Sequence, residues 1–114
     1  MSVQIYHNPR CSKSRQTMRL LEERGITPEV IEYLKTPLTV AKIVQLTDKL
    51  GVSAHDLVRK NEADYKDLGL SKDSDSSTLL AAMASHPKLI ERPIVVNGNK
   101  ARLGRPPEQV LDIL

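Results

Sequence analysis

Tyr6-His7-Asn8-Pro9-Arg10-Cys11-Ser12-Lys13-Ser14-Arg15 is the stretch on which the reading of the fold turns. Upstream, Val3 and Ile5 alternate as in a short strand; downstream, Met18, Leu20 and Leu21 recur at helical spacing. Asn8-Pro9 breaks regular structure between them, which puts Cys11, the only cysteine, at or beside the first turn of a helix. There the unpaired backbone N–H groups of the following residues point at the sulfur. Those groups, the positive end of the helix dipole and the charges of Arg10, Lys13 and Arg15 all favour thiolate over thiol. One pKa unit of lowering corresponds to about 1.4 kcal/mol in favour of the anion. A lone cysteine is often only a small buried hydrophobe. The segment His7 to Arg15, however, holds nothing large and apolar, so it suits a site better than a core. The same N–H cluster would bind an oxyanion, so nucleophile and anion cradle coincide.

The 114 residues read as one domain, 1–114, large enough for a compact core without disulfides or a metal. With no Trp or Phe, that core is aliphatic, helped by three tyrosines. Tyr6 and Tyr33, at the ends of the first two strands, are expected to pack inside it. The net charge of +3 is too mild to argue for nucleic acid, and the scarcity of aromatics removes the stacking platforms of single-strand binders. No apolar run approaches the length of a membrane-spanning helix, so no membrane partner is expected. The N-terminus reads straight into a strand with no leader pattern, and a lone exposed cysteine suits a reducing compartment; a cytoplasmic location is expected.

The elements follow in order. A strand over Val3 to Tyr6 leads to a helix ending near Arg24, with Gly25 as its stop. Pro28 to Tyr33 reads as a second strand, and strand, helix, strand at this spacing implies a right-handed parallel crossover. From about 38 to 87 the pattern is wholly helical. Thr39 is an N-cap with Leu38 and Ile43 as a staple, and Ile43, Leu46 and Leu50 share a face before Gly51. Ser53 and Asp56 start another helix, Asn61 to Leu68 a third, and Leu79, Leu80 and Met83 carry a fourth that Pro87 stops. Lys72 to Thr78 reads as a loop. Ile94 to Val96 and Lys100 to Leu103 form a hairpin, in which Asn97-Gly98 suits a type I′ turn. Pro107 then opens a last helix with Val110, Leu111 and Leu114 on one face. The order β-α-β, helical insert, β-β-α predicts an α/β, thioredoxin-like fold with a mixed four-stranded sheet and its site where the first strand meets the first helix.

Three groups of residues together carry a family resemblance. His7-Asn8-Pro9-x-Cys11-x-x-Ser14-Arg15, Leu57-Val58-Arg59-Lys60-Asn61, and Arg92-Pro93-Ile94-Val95-Val96 followed by Arg102-Leu103-x-Arg105-Pro106 resemble the glutaredoxin-linked arsenate reductase (ArsC) family, in order and over essentially the whole chain. The resemblance implies reduction of arsenate to arsenite. A cysteine thiolate, here Cys11, attacks arsenate, and three arginines hold the oxyanion; by motif position these are Arg59, Arg92 and Arg105. Arginine suits the task because its planar fork stays charged and pairs with two oxygens at once. Taken singly, each of the three would read as a solvated surface charge. Pro93 falls where thioredoxin-like folds place a cis-proline beside the reactive cysteine. His7 is expected to orient the loop or donate a hydrogen bond to the sulfur, with Ser14 and Arg15 in support. With no second cysteine to resolve the adduct, the reducing equivalents come from outside, from glutathione as co-substrate and a glutaredoxin as partner; no bound cofactor is expected.

The loop Cys11-Ser12-Lys13-Ser14 departs from the pattern of established arsenate reductases, which carry glycine and then threonine after the cysteine. It is more similar to a shorter oxidoreductase subgroup of the family. Two alternatives remain open. One is a thiol-disulfide oxidoreductase acting on glutathione mixed disulfides, since Cys11-x-x-Ser14 is also a monothiol glutaredoxin pattern. The other is an Spx-like regulator that binds RNA polymerase, although Ser14 removes the redox switch many of those carry. His55 and His86 have no acidic or cysteine cluster at ligand spacing, so no metal is expected, and His86 fits a cation near a helix C-terminus.

Overall fold

The computed structural model describes residues 3–114; the first two positions of the expected 1–114 domain lie outside the described residues. Strand β1 (Val3–Tyr6) runs through the cysteine loop into α1 (Ser12–Glu23), and β2 (Glu29–Ile31) returns parallel to β1. Four helices follow: α2 (Val40–Leu50), α3 (Ala54–Leu57), α4 (Ala63–Asp67) and α5 (Ser76–Ser85). After a 3₁₀ turn at Pro87–Leu89 come β3 (Ile94–Asn97), β4 (Lys100–Leu103) and a C-terminal 3₁₀ helix, Pro107–Ile113. The sheet order is β2-β1-β3-β4, with β3 antiparallel to both β1 and β4. This is the mixed four-stranded sheet of the expected α/β fold.

The chain forms two compact units, one of the residues up to Thr36 together with Arg92–Leu114, the other of Pro37–Glu91. In the first, Ile5 of β1, Leu21 of α1, Val95 of β3, and Val110 and Ile113 of the C-terminal helix make the core. Each fully buried aliphatic side chain contributes about 1.5–3 kcal/mol. The buried stripe of α1 is Ser14, Thr17 and Leu21, so two small hydroxyl residues lead the end of the helix that carries the cysteine. Gly25, at φ 73°, closes α1 as expected: its N–H and that of Ile26 take up the Glu22 and Leu21 carbonyls at 2.9 Å each. Tyr6 and Tyr33 are buried.

Three sequence expectations change here. The second strand is confined to Glu29–Ile31, because β2 is an edge that pairs only with Gln4 to Tyr6, and Tyr33 already turns back to the Ile31 carbonyl. The last helix is 3₁₀ rather than α, and buries Pro107, Val110 and Ile113. Three residues per turn put positions three apart on one side; Leu114, expected on the buried face, is exposed. The hairpin turn is Gly98-Asn99, since Asn97 pairs with Lys100 as the last rung of the ladder. Gly98 has φ 64° and no non-glycine residue among those described has positive φ. That fits type II′, whereas type I′ needs positive φ at both central positions. Asn97 instead spends its side chain on the C-terminal helix, Nδ2 donating to the Ile113 carbonyl at 2.6 Å.

In the second unit, Thr39 caps α2 by accepting from the Lys42 N–H at 3.1 Å, and Ser53 with Asp56 forms a capping box on α3. The third expected helix shortens to Ala63–Asp67. The expected loop over 72–78 ends early, because Asp75 accepts from the Thr78 N–H at 2.8 Å and starts α5 at Ser76. A bridge between Val58 and Ile90, flanked by Arg59 N–H to the Leu89 carbonyl (2.6 Å) and Glu91 N–H to the Leu57 carbonyl (2.9 Å), closes the unit. The last helical residues before β3 are Pro87–Leu89, and the second unit runs on to Glu91. No helix of the described residues is long and apolar enough to cross a membrane.

Candidate active site

The loop after β1 is tightened by Asn8. Its carbonyl accepts the Cys11 N–H and its side-chain oxygen the Arg10 N–H, both at 3.0 Å. Cys11 then stands as N-cap of α1 with extended backbone (φ −92°, ψ 125°), and its own carbonyl accepts the Arg15 N–H at 3.0 Å. The sequence places the cysteine at a helix start, and the structure puts it on the cap itself. A cysteine side chain offers no capping oxygen, and the Lys13 and Ser14 N–H groups of the first turn act on the sulfur instead.

Ser14 locks the loop from the first turn of the helix. Its hydroxyl is fully buried, accepts the Asn8 N–H at 3.0 Å and lies 2.5 Å from His7 Nδ1. His7 therefore steadies the loop through Ser14. Burial holds the His7 pKa below the ordinary value, and Arg15 adds to this against an opposing pull from Glu32. Arg15 also reaches across the loop, Nη1 donating to the Pro9 carbonyl at 2.9 Å.

The hairpin supplies the charge. Ile94 pairs with Leu103, and the Gly104 N–H donates to the Pro93 carbonyl at 2.9 Å, so one more step of the register sets Arg92 opposite Arg105. Arg105 Nη1 donates to the Arg92 carbonyl at 3.1 Å. The Arg92-Pro93 peptide is cis, as the resemblance implied, and so is Arg105-Pro106. Gly104 has no room for a side chain: a Cβ there would run into Thr17 Oγ1 and the Pro93 ring. Helix α1 and the hairpin base thus approach through Thr17, Gly104 and Pro93.

At the sulfur these pieces oppose one another. Burial pushes the Cys11 thiol up, while the Ser14 N–H, the Arg92 charge, the Lys13 N–H and the Arg105 charge push it down harder, and the thiol ends below its ordinary value. The expectation of a lowered thiol holds, but the charges responsible differ. They come from the far-off Arg92 and Arg105, not from Arg10, Lys13 and Arg15; Lys13 acts through its backbone, and Arg15 faces the Pro9 carbonyl. Neighbours in sequence fan outward around a helix start, so closeness along the chain does not make them neighbours of the sulfur.

The structure thus brings Cys11, His7, Ser14, Arg15, Arg92, Pro93 and Arg105 together in one unit. Arg59 belongs to the other, where its Nη1 pairs with Glu62 at 3.1 Å and its Nε with Glu91 at 3.2 Å. His86 caps the C-terminus of α5, and its Nδ1 is buried without a hydrogen-bond partner. No three or more His, Cys, Asp or Glu among the described residues are grouped to hold a metal ion. Sequence reasoning missed Asn8 as the organiser of the loop and Gly104 as the point of close approach. The first had a signal in the Asn-Pro pair; the second had none without the register.

The ArsC family profile matches residues 6–113. YfgD of Escherichia coli strain K12, a protein described as uncharacterized, is 55% identical over 98% of this chain and 96% of its own length. An arsenate reductase of Haemophilus influenzae is 47% identical over the whole of both chains. The solved structure of an arsenate reductase from Vibrio cholerae superposes with TM-score 0.97 at 54% identity, covering 100% of this chain and 98% of that one. Profile, relatives and fold point the same way: the chain belongs to the ArsC family and has its thioredoxin-like fold.

Proposed function

We propose that the protein is an arsenate reductase that turns arsenate into arsenite with Cys11 as nucleophile, at the expense of glutathione and a glutaredoxin. The observation that carries this reading is Cys11 on a helix N-cap, its thiol lowered by the charges of Arg92 and Arg105, two residues that the hairpin sets opposite one another. The names borne by relatives at comparable length support the substrate.

The steps balance as follows. The Cys11 thiolate attacks arsenic and forms an S–As bond; the departing hydroxide takes a proton and leaves as water. Arg92 and Arg105, with Arg59 as the third member by motif position, neutralise the oxygens that gather charge in that transition state. Glutathione next replaces an arsenic-bound hydroxyl, again releasing water. The glutaredoxin thiolate then attacks the glutathione sulfur; a mixed disulfide forms, the As–S electron pair stays on arsenic, and As(V) becomes As(III). Hydrolysis of the remaining S–As bond frees arsenite and Cys11. His7, Ser14 and Arg15 hold the loop in place, and Pro93 fixes the hairpin base. The chain needs no resident cofactor, and the thiol supply locates the reaction in the cytoplasm.

Arsenate-dependent NADPH oxidation, coupled through glutathione reductase, glutathione and a glutaredoxin, tests the proposal. Cys11→Ser abolishes turnover, and Arg92→Ala lowers it by about 10²–10³, as for loss of an electrostatic stabiliser. Wild-type protein with no turnover above background would refute the function.

A further inference from the structure

Beside the cysteine loop lies a cleft of about 260 Å³ walled by residues 7–10 on one side and by Glu32, Leu34 and Lys35 on the other. Its charged side chains are two cations, Arg10 and Lys35, and one anion, Glu32. The last two form an exposed ion pair at 3.4 Å, with the Lys35 side chain 77% exposed. A pair so placed is weakly held, and both ends are available to a ligand. Glu32 is also close enough to act on the His7 ring from across the cleft.

We infer that this cleft docks the reducing thiol, a zwitterionic thiol peptide of the glutathione class, with its ammonium on Glu32 and its two carboxylates on Arg10 and Lys35. The inference rests on the function proposed above and adds the place where the second substrate sits. Two carboxylates and one ammonium are the inverse of the charges in the cleft, whereas a simple anion would meet the repulsion of Glu32. One wall of the cleft is the loop that leads into Cys11, residues 7–10, and an extended three-residue ligand spans about 10 Å. The docked thiol replaces a hydroxyl on the arsenic of the Cys11 adduct: an As–S bond forms, an As–O bond breaks, and the thiol proton leaves in water without electron transfer.

The test compares wild type with Lys35→Glu using two reductants, glutathione and the uncharged 2-mercaptoethanol, and follows binding of S-methylglutathione by calorimetry. Lys35→Glu raises the glutathione KM about tenfold and weakens S-methylglutathione binding to match, while turnover with 2-mercaptoethanol and the arsenate KM stay at wild-type values. The double swap Glu32→Lys with Lys35→Glu restores part of the glutathione affinity. An unchanged glutathione KM in Lys35→Glu, or an equal loss with both reductants, would overturn the site while leaving the reductase standing. Wild-type protein that binds S-methylglutathione but turns over with neither reductant would keep the site and overturn the reductase.

Discussion

Ser14→Ala removes a single oxygen on which the cysteine loop depends. That oxygen is fully buried, accepts the Asn8 N–H at 3.0 Å and meets His7 Nδ1 at 2.5 Å, so its loss strands two polar groups at once. A buried group left without its partner costs about 1–3 kcal/mol, and because Asn8 and His7 are only half-buried the lower end applies to each, giving about 2 kcal/mol in all. For a protein of this size, with a urea m-value of about 2 kcal/mol per molar, the unfolding midpoint should fall by about 1 M. The same variant keeps the Ser14 backbone N–H that lowers the Cys11 thiol. Alkylation by iodoacetamide followed against pH should therefore still titrate below the ordinary thiol range. A urea midpoint within about 0.2 M of wild type would refute the argument that the Ser14 hydroxyl holds the loop.

Arg105→Ala moves the Cys11 thiol pKa back towards the ordinary value, read from the pH at which alkylation reaches half its limiting rate. Because the folded thiol is lowered, the stability it contributes is complete above the unfolded-state pKa and is lost as pH falls through the folded one; Cys11→Ser lacks that part of the pH dependence of urea unfolding. Gly104→Ala drives a methyl group into Thr17 and the Pro93 ring and costs roughly 1–3 kcal/mol, measured as a lower thermal midpoint. It also displaces the neighbouring Arg105, so its thiol pKa rises with that of Arg105→Ala.

Much of the fold was legible because it is written locally. The break at Asn8-Pro9, the stop at Gly25, the caps Thr39 and Ser53, and the alternation in Val3 to Tyr6 are decided by a residue and its near neighbours. What went astray depended on partners. The second strand shortened because β1 gave it only three residues to pair with, and the last helix tightened to 3₁₀ to lay Pro107, Val110 and Ile113 on the core. The hairpin matters most for the site. An Asn97-Gly98 turn would shift the register and set Arg92 opposite Leu103; the Gly98-Asn99 turn sets it opposite Arg105.

By itself the sequence determined the order of elements and the cysteine at a helix start, which follow from backbone propensity and from residue types at fixed short spacings; Arg59, Arg92 and Arg105 were singled out only by the family resemblance. Tertiary structure alone decided which charges reach the sulfur. A cation one or two residues away along a helix start points elsewhere, whereas Arg92 and Arg105, more than eighty residues downstream, are brought to Cys11 by strand pairing and by the side-chain-free contact at Gly104.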